Sequence, residues 1–293
     1  MHGGLVSIKE ALHSLKPQER IVAGFILEHP EETVKLSVQK LSELTGVSEA
    51  TIVRLSRSLQ FKGFQDLKMR IVADLAQTAQ AYKDTDTYQE IQPNSSVSAL
   101  IDSISHNNAQ SIQDTLSVLS VTEVERAIEA IGTTRKICVF GVGASAVIAM
   151  DFMQKLTRID RWCEAAYDFN SQATLAANLK AGDVAFGISY SGQTEDIIGS
   201  LSIARQNGAT IISLTKFGSN PVSELADVRL FTSSLEKSIR SGAMASRITQ
   251  LNVIDILYVG IAQLQYDETV QLLERTRKAV SRSKRNGYNK PIN

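Results

Sequence analysis

Two units are predicted in tandem: an all-α helix-turn-helix bundle, then a five-stranded, doubly wound parallel α/β sheet in flavodoxin-like order. Three observations predict this. Up to about Leu75 the apolar residues recur at helical spacing, whereas from Lys136 short β-branched or aromatic runs alternate with helical stretches. Between these regions, residues 77–96, QTAQAYKDTDTYQEIQPNSS, are polar, aperiodic and end in Pro93-Asn94-Ser95-Ser96. At 293 residues the chain has room for two domains. The expected boundaries are a helical domain at 1–76, a linker at 77–96 and an α/β domain at 97–293, the last with leading helices and a basic tail.

PQERIVAGFILEHP sets Ile21, Val22, Phe25 and Ile26 on one helical face and stops before Pro30. SVQKLSELTG places Val38, Leu41 and Leu44 together and ends at Gly46, a left-handed C-cap. SEATIVRLSRSLQF follows at once with Ser48 as N-cap, and GFQDLKMRIVADLA repeats the pattern with Phe64, Leu67, Ile71 and Leu75. Past the linker, Leu100, Ile101, Ile104, Ile112, Leu116 and Leu119 mark an amphipathic helix. A shorter one is expected to open at Thr122, with Glu125 completing a capping box. The strand candidates are KICVFGVG, CEAAYD, DVAFGISY, TIISLTKF and VRLFTSS. Near the end, ITQLNVIDILYVGIAQL is apolar on several faces, which predicts burial in the core or at a dimer interface.

Lys+Arg and Asp+Glu are equal at 31 each, so net charge names no partner. Its distribution is uneven. Arg54, Arg57, Lys62, Lys68 and Arg70 face only Asp66 in residues 54–70, and the tail from Arg275 to Lys290 is basic without an acid. Cys138 and Cys163 lack metal-ligand spacing, so neither a metal nor a cofactor is expected. No signal-like start is visible, and VIDILYVGIA, broken by Asp255, is too short to cross a bilayer; a cytosolic, reduced protein is expected.

The Thr45-Gly46-Val47-Ser48 connection has helix-turn-helix spacing, in which the second helix enters the major groove. On that helix Ile52, Leu55 and Leu59 would face inward. Ala50, Arg54 and Arg57 would face outward, flanked by Thr51 and Ser58, with Lys62 and Lys68 on phosphates. A small bundle with a basic solvent face would show the same pattern. The stretch LSVQKLSELTGVSEATIVRLSRSLQFKGFQDLKMRI resembles the N-terminal domain of RpiR-type bacterial transcription regulators. That resemblance implies operator binding by Thr51, Arg54 and Arg57, with Ser48 and Lys62 near the backbone.

In the α/β part, FGVGASAVIAM puts Gly141 and Gly143 at a strand end, where a ligand can approach the backbone, and Ser145 at the next helix start. ISYSGQTEDII puts Ser189, Ser191, Gly192 and Thr194 at a second such turn. Hydroxyls and helix N–H groups at the winding switch point suit a phosphate. Gly141-x-Gly143-x-x-Ala146 with Asp168 also fits a dinucleotide fingerprint, though that scheme leaves the serine-rich turn without a role. The pair G-x-G-x-S and S-x-S-G-x-T resembles the sugar isomerase (SIS) domain. By that resemblance Ser145, Ser189, Ser191 and Thr194, with the Gly192 and Gln193 backbone, hold the phosphate of a phosphosugar. The stretch SLEKSIRSGAMASRITQLNVID matches the ligand-covering region, making Glu236, Arg240 and Arg247 sugar contacts. The histidines, His2, His13, His29 and His106, all precede the sheet; Glu164, Asp168, Glu195 and Glu236 leave a carboxylate-only lyase open. The expectation is binding without turnover: a homodimeric or larger regulator of a two-fold operator. GFQDLKMRIVADLA and SRITQLNVIDILYVGIAQ resemble the muramic acid phosphate-type branch of these regulators, which implies an amino-sugar phosphate such as N-acetylmuramic acid 6-phosphate as effector, with other hexose or pentose phosphates open. A SIS isomerase or lyase and a dinucleotide-sensing regulator are the alternatives.

Overall fold

Local chemistry sets the helix ends in the first part of the chain. In this computed structural model, which describes residues 3–12, 14–78, 96–234 and 243–287, six helices come first. They are α1 (Gly4–Ala11), α2 (Pro17–Glu28), α3 (Pro30–Thr33), α4 (Val38–Thr45), α5 (Glu49–Ser58) and α6 (Phe64–Thr78). Pro17 and Pro30 each sit in a first turn, where their missing N–H costs nothing. The Ser37 hydroxyl caps α4 by accepting from the Lys40 amide at 3.1 Å, and Gly46 ends that helix at φ +69°. Ser42 then donates to the Val47 carbonyl at 2.6 Å, pinning the turn into α5. Leu41, Ile52, Leu55, Leu59, Phe64, Leu67 and Ile71 fill one core; Leu44, expected with them, is 47% exposed in the last turn of α4.

After Ser96, whose hydroxyl caps the next helix, come α7 (Val97–Val118) and α8 (Val121–Thr133). The cap of α8 is Ser120, accepting from Glu123 N, so the expected box at Thr122 and Glu125 lies two residues too late. Of the apolar residues that marked α7, Ile101, Ile104 and Leu116 are exposed.

Five strands follow: β1 (Ile137–Gly141), β2 (Cys163–Ala166), β3 (Val184–Ile188), β4 (Thr210–Lys216) and β5 (Val228–Thr232). They form one parallel sheet in the order β2-β1-β3-β4-β5. Its connections are α9 (Ala144–Thr157), α10 (Phe169–Ala177), α11 (Glu195–Gln206) and α12 (Pro221–Glu224); α13 (Met244–Leu264) and α14 (Tyr266–Gly287) close the chain. Alternate strand residues feed two cores. Val139, Phe186, Ile188, Ile212 and Leu214 meet α9 and α13 on one face, while Cys138, Phe140, Ala185 and Ile211 meet α10 and α11 on the other. The winding direction therefore reverses between β1 and β3. The apolar helix α13 is buried along Val253, Ile254, Leu257 and Ile261.

The helical part and the sheet share apolar contacts. Val118, Phe217 and Phe231 join the cluster of Ile8, Ala11, Leu15 and the α5 and α6 residues, with Phe217 and Phe231 edge to face at 5.2 Å. Among the described residues no helix is long and apolar enough to cross a membrane.

Candidate functional site

On α5 the side chains sort by exposure. Ala50, Arg54, Arg57 and Ser58 are exposed, as are Ser48 before the helix and Lys62 beyond it. Thr51, expected on the outward face, is 5% exposed. Its hydroxyl is 3.0 Å from Ser48 Oγ and accepts from Arg54 Nη2 at 2.8 Å. Thr51 thus orients Arg54 within this surface, and Ser48 bonds a side chain instead of capping a backbone N–H. Ser58 donates to the Leu55 carbonyl at 2.8 Å. Lys68, expected on a phosphate, donates its ammonium to the Leu36 carbonyl at 3.0 Å. Arg54 and Arg57 stand about one turn apart on an open face, the geometry that reaches base edges or phosphates.

The second site lies where β1 and β3, neighbours in register from Ile137↔Val184 to Gly141↔Ile188, end together. The helices that follow leave toward opposite faces and open a crevice between them. Gly141 is required by crowding: a Cβ there would fall 2.5 Å from the Ser145 carbonyl oxygen. Gly143, at φ +59°, is the N-cap of α9, and Ser145 lies in that helix's first turn, half-buried. Across the crevice Ser189 Oγ and Thr194 Oγ1 are 2.9 Å apart at the mouth of α11, with Ser189 buried. Thr194 is the N-cap of α11, yet its side chain makes no cap bond.

Not every expected donor points into the crevice. The Gly192 amide closes a turn on the Ser189 carbonyl at 3.0 Å, and the Gln193 amide donates to Ser191 Oγ at 3.2 Å. Arg247 is exposed in the first turn of α13; Glu236 and Arg240 lie outside the described residues. Two residues went unnoticed in the sequence. Asn220 fills the space beside Gly192, and the Tyr190 hydroxyl bonds Ser234 at 2.7 Å. The Asn-Pro pair signals a helix start, but nothing local links either residue to its contact.

Asp168, the ribose candidate, is the N-cap of α10: its Oδ1 accepts from Ser171 N at 3.0 Å. That amide, with the Ser171 hydroxyl, holds its carboxyl below the usual range. Burial pushes the Glu164 carboxyl up, but bonds from Trp162 and Lys136 outweigh it and hold it low. Both line a groove of about 590 Å³ beside β2, with Met153, Tyr167, Ser171 and Thr174 but none of the crevice hydroxyls. Among the described residues no His, Cys, Asp and Glu cluster could hold a metal ion.

Comparisons with known proteins follow the same division. Residues 2–78 match the family model for the helix-turn-helix domain, rpiR family, and residues 131–260 match the SIS domain. An uncharacterized HTH-type transcriptional regulator of Caldanaerobacter subterraneus is 44% identical over 282 residues, 96% of this chain and 98% of the relative. One from Bacillus subtilis is 40% identical over 95% of this chain and 97% of its own length. Among solved structures, Vibrio vulnificus NanR in complex with ManNAc-6P superposes with a TM-score of 0.59 at 27% identity, covering 95% of this chain and 98% of that one. The sugar isomerase domain of an RpiR transcription factor from Sphaerobacter thermophilus, at 22% identity and TM-score 0.56, shares the fold over 61% of this chain and 98% of its own.

Proposed function

The chain belongs to the RpiR family of helix-turn-helix transcriptional regulators with a SIS domain, and on that premise we propose that a phosphosugar held between the β1 and β3 loops controls its grip on operator DNA. One observation carries the reading: the Ser189 and Thr194 hydroxyls, 2.9 Å apart, sit at an α11 mouth whose N-terminal N–H groups have no side-chain cap. Such a helix end carries partial positive charge and favours an anion. In this reading the Ser189–Thr194 bond is exchanged for bonds to phosphate oxygens, with Ser191 and Ser145 completing the cage. Gly143 lets the ligand approach, Gly192 shapes the turn, and the Gln193 amide joins once Ser191 turns. Glu236, Arg240 and Arg247 are proposed for the sugar.

The ManNAc-6P held by Vibrio vulnificus NanR supports an amino-sugar phosphate here, a class that includes N-acetylmuramic acid 6-phosphate. Arg54 and Arg57 are proposed to read the groove, with Ala50, Ser58, Ser48 and Lys62 around them and Thr51 setting Arg54. Two copies, joined through their α/β domains, would present two such helices to a two-fold operator. Binding without turnover is favoured by placement: Glu164 and Asp168 line the groove beside β2, which contains none of the crevice hydroxyls. The dinucleotide reading is the weaker one because it leaves the serine-rich turn after β3 without a role.

The test is a thermal-shift screen of phosphosugars and NAD(H), followed by gel shifts on a duplex selected from a random pool by the purified protein. Stabilisation by an amino-sugar phosphate that also alters the gel shift is expected. Product formed from the bound sugar, or stabilisation by NAD(H) alone, would overturn the proposal.

A further inference from the structure

How would occupancy of the crevice reach the DNA-binding helices? The answer rests on the phosphosugar reading above and on the two residues where β5 leaves the sheet, Ser233 and Ser234. Both are buried, and they are gripped from opposite sides. From the crevice, Tyr190, set between Ser189 and Ser191, places its hydroxyl 2.7 Å from Ser234 Oγ. From the helical domain, Glu10 of α1 accepts a hydrogen bond from Ser233 Oγ at 2.8 Å. Thr115 of α7 holds the same point, its Oγ1 accepting from the Ser233 amide at 3.1 Å.

An apolar contact runs beside this polar one. The Tyr190 carbonyl accepts from the Lys216 amide at 2.8 Å, and the next residue, Phe217, packs with Phe231 in the cluster that holds Ile8 and Ala11 of α1. The loop after β4 also touches α1, since a Cβ at Gly218 would meet Ala11 and Ser14. So α1 rests on the same end of the sheet as the crevice. At its other end the Leu5 amide donates to Asp74 of α6 at 2.8 Å, tying α1 into the helical bundle.

The Glu10 bond has high leverage. Burial penalises this carboxylate, and the Ser233 hydroxyl and the Lys216 charge offset that penalty, so moving Ser233 leaves the half-buried carboxyl with one donor fewer. Filling the crevice replaces the Ser189–Thr194 bond and reorients the two residues flanking Tyr190. We infer that Tyr190, Ser234, Ser233 and Glu10 form a relay through which an anion bound in the crevice repositions α1 and the DNA-binding helices it supports. Such a relay needs a two-position element biased from both sites, and the 233–234 step is that element.

The test uses the full chain and inorganic phosphate as the probe, with chloride at equal ionic strength as reference. Binding is read from ³¹P line broadening, and the response from hydrogen exchange of residues 4–11. In the wild type, phosphate binds and changes exchange at 4–11 severalfold. In Tyr190→Phe and in the milder Ser234→Ala, phosphate still binds while exchange at 4–11 no longer responds. A persisting response in both variants overturns the relay, as does wild-type binding that leaves 4–11 unaltered; in each case the crevice assignment stands. Absence of phosphate binding to the wild type overturns the crevice assignment itself, and the relay with it.

Discussion

Replacing Gly192 with alanine probes how the crevice is built. Gly192 sits at φ +66°, and an added Cβ would lie 2.7 Å from Asn220 Cβ and press further into its carboxamide. Asn220 is only 6% exposed and fully committed. Its Oδ1 caps α12 by accepting from Ser223 N at 2.9 Å, and its Nδ2 donates to Thr215 Oγ1 and the Gly218 carbonyl, both at 3.1 Å. Three costs follow. The left-handed backbone costs about 1 kcal/mol, the lost cap about 1 kcal/mol, and the disrupted amide bonds about 1–2 kcal/mol. Gly192→Ala should therefore destabilise the sheet domain by about 3–4 kcal/mol, measured by urea unfolding followed by circular dichroism. The cause can be separated from the size. Asn220→Gly forfeits the cap and amide bonds and also removes the Cβ that would stand 2.7 Å from the new methyl, so adding Gly192→Ala to it should cost only the backbone penalty, about 1 kcal/mol more. A Gly192→Ala protein that unfolds at the wild-type midpoint, or two substitutions whose costs simply add, would refute this account of the turn.

Ser191→Ala should weaken the tightest-binding phosphosugar by about 1–2 kcal/mol in calorimetric titration; unaltered affinity would remove Ser191 from the cage. Arg54→Ala should weaken the selected duplex by about 1–3 kcal/mol in gel shifts. Thr51→Ala should lose less and Thr51→Ser almost nothing, because the serine hydroxyl still receives Arg54; equal losses from all three would mean Thr51 does not act through Arg54. Burial raises the Glu10 carboxyl above its ordinary value of 4.5, so the native state binds its proton more tightly than the unfolded chain does. That contribution to stability is fully present below the ordinary value and is lost as pH rises toward the folded value. Glu10→Gln keeps an acceptor for Ser233 and removes the charge, so it should raise the thermal midpoint at neutral pH and flatten its fall above pH 4.5. A lower midpoint across the whole range would contradict this.

What the sequence disclosed, and what it hid, follows the range of each interaction. All five strands were legible because each is a short apolar run bounded by polar or glycine residues, and their parallel, doubly wound arrangement followed from the alternation with helices. The hydroxyls at the two strand ends were legible for the same reason. Errors came where two local patterns overlap. Ser120-x-x-Glu123 and Thr122-x-x-Glu125 both read as capping boxes. Only the cap of the first is realised: Ser120 Oγ accepts from Glu123 N at 3.4 Å with Leu119 buried, while Glu123 Oε2 receives the Arg229 amide at 2.9 Å from across the chain instead of the Ser120 amide. Thr51 sits at the edge between the inward and outward faces of α5, and its bonds to Ser48 and Arg54 accompany its turn inward. The Tyr190–Ser234 and Ser233–Glu10 bonds join residues 44 and 223 positions apart, and no periodicity carries that information.

The seam around α1 is assembled from opposing terms. Ile8, Ala11 and Leu15 bury apolar surface with Val118, Phe217 and Phe231, which holds the helical domain to the sheet. Against this, burial raises the carboxyls of Glu10, Asp74 and Asp114, each of which costs free energy as an anion at neutral pH. The bonds from Ser233, Leu5 and Gln110 recover part of that cost. A seam made only of apolar contacts would be deep and hard to move. Allosteric couplings amount to about 1–3 kcal/mol, enough to shift an equilibrium only when its two states lie within a similar span. Of these carboxylates Glu10 is bonded to the residue next to the one that Tyr190 holds. The charge that weakens the contact between the domains therefore lies where a ligand in the crevice can act on it.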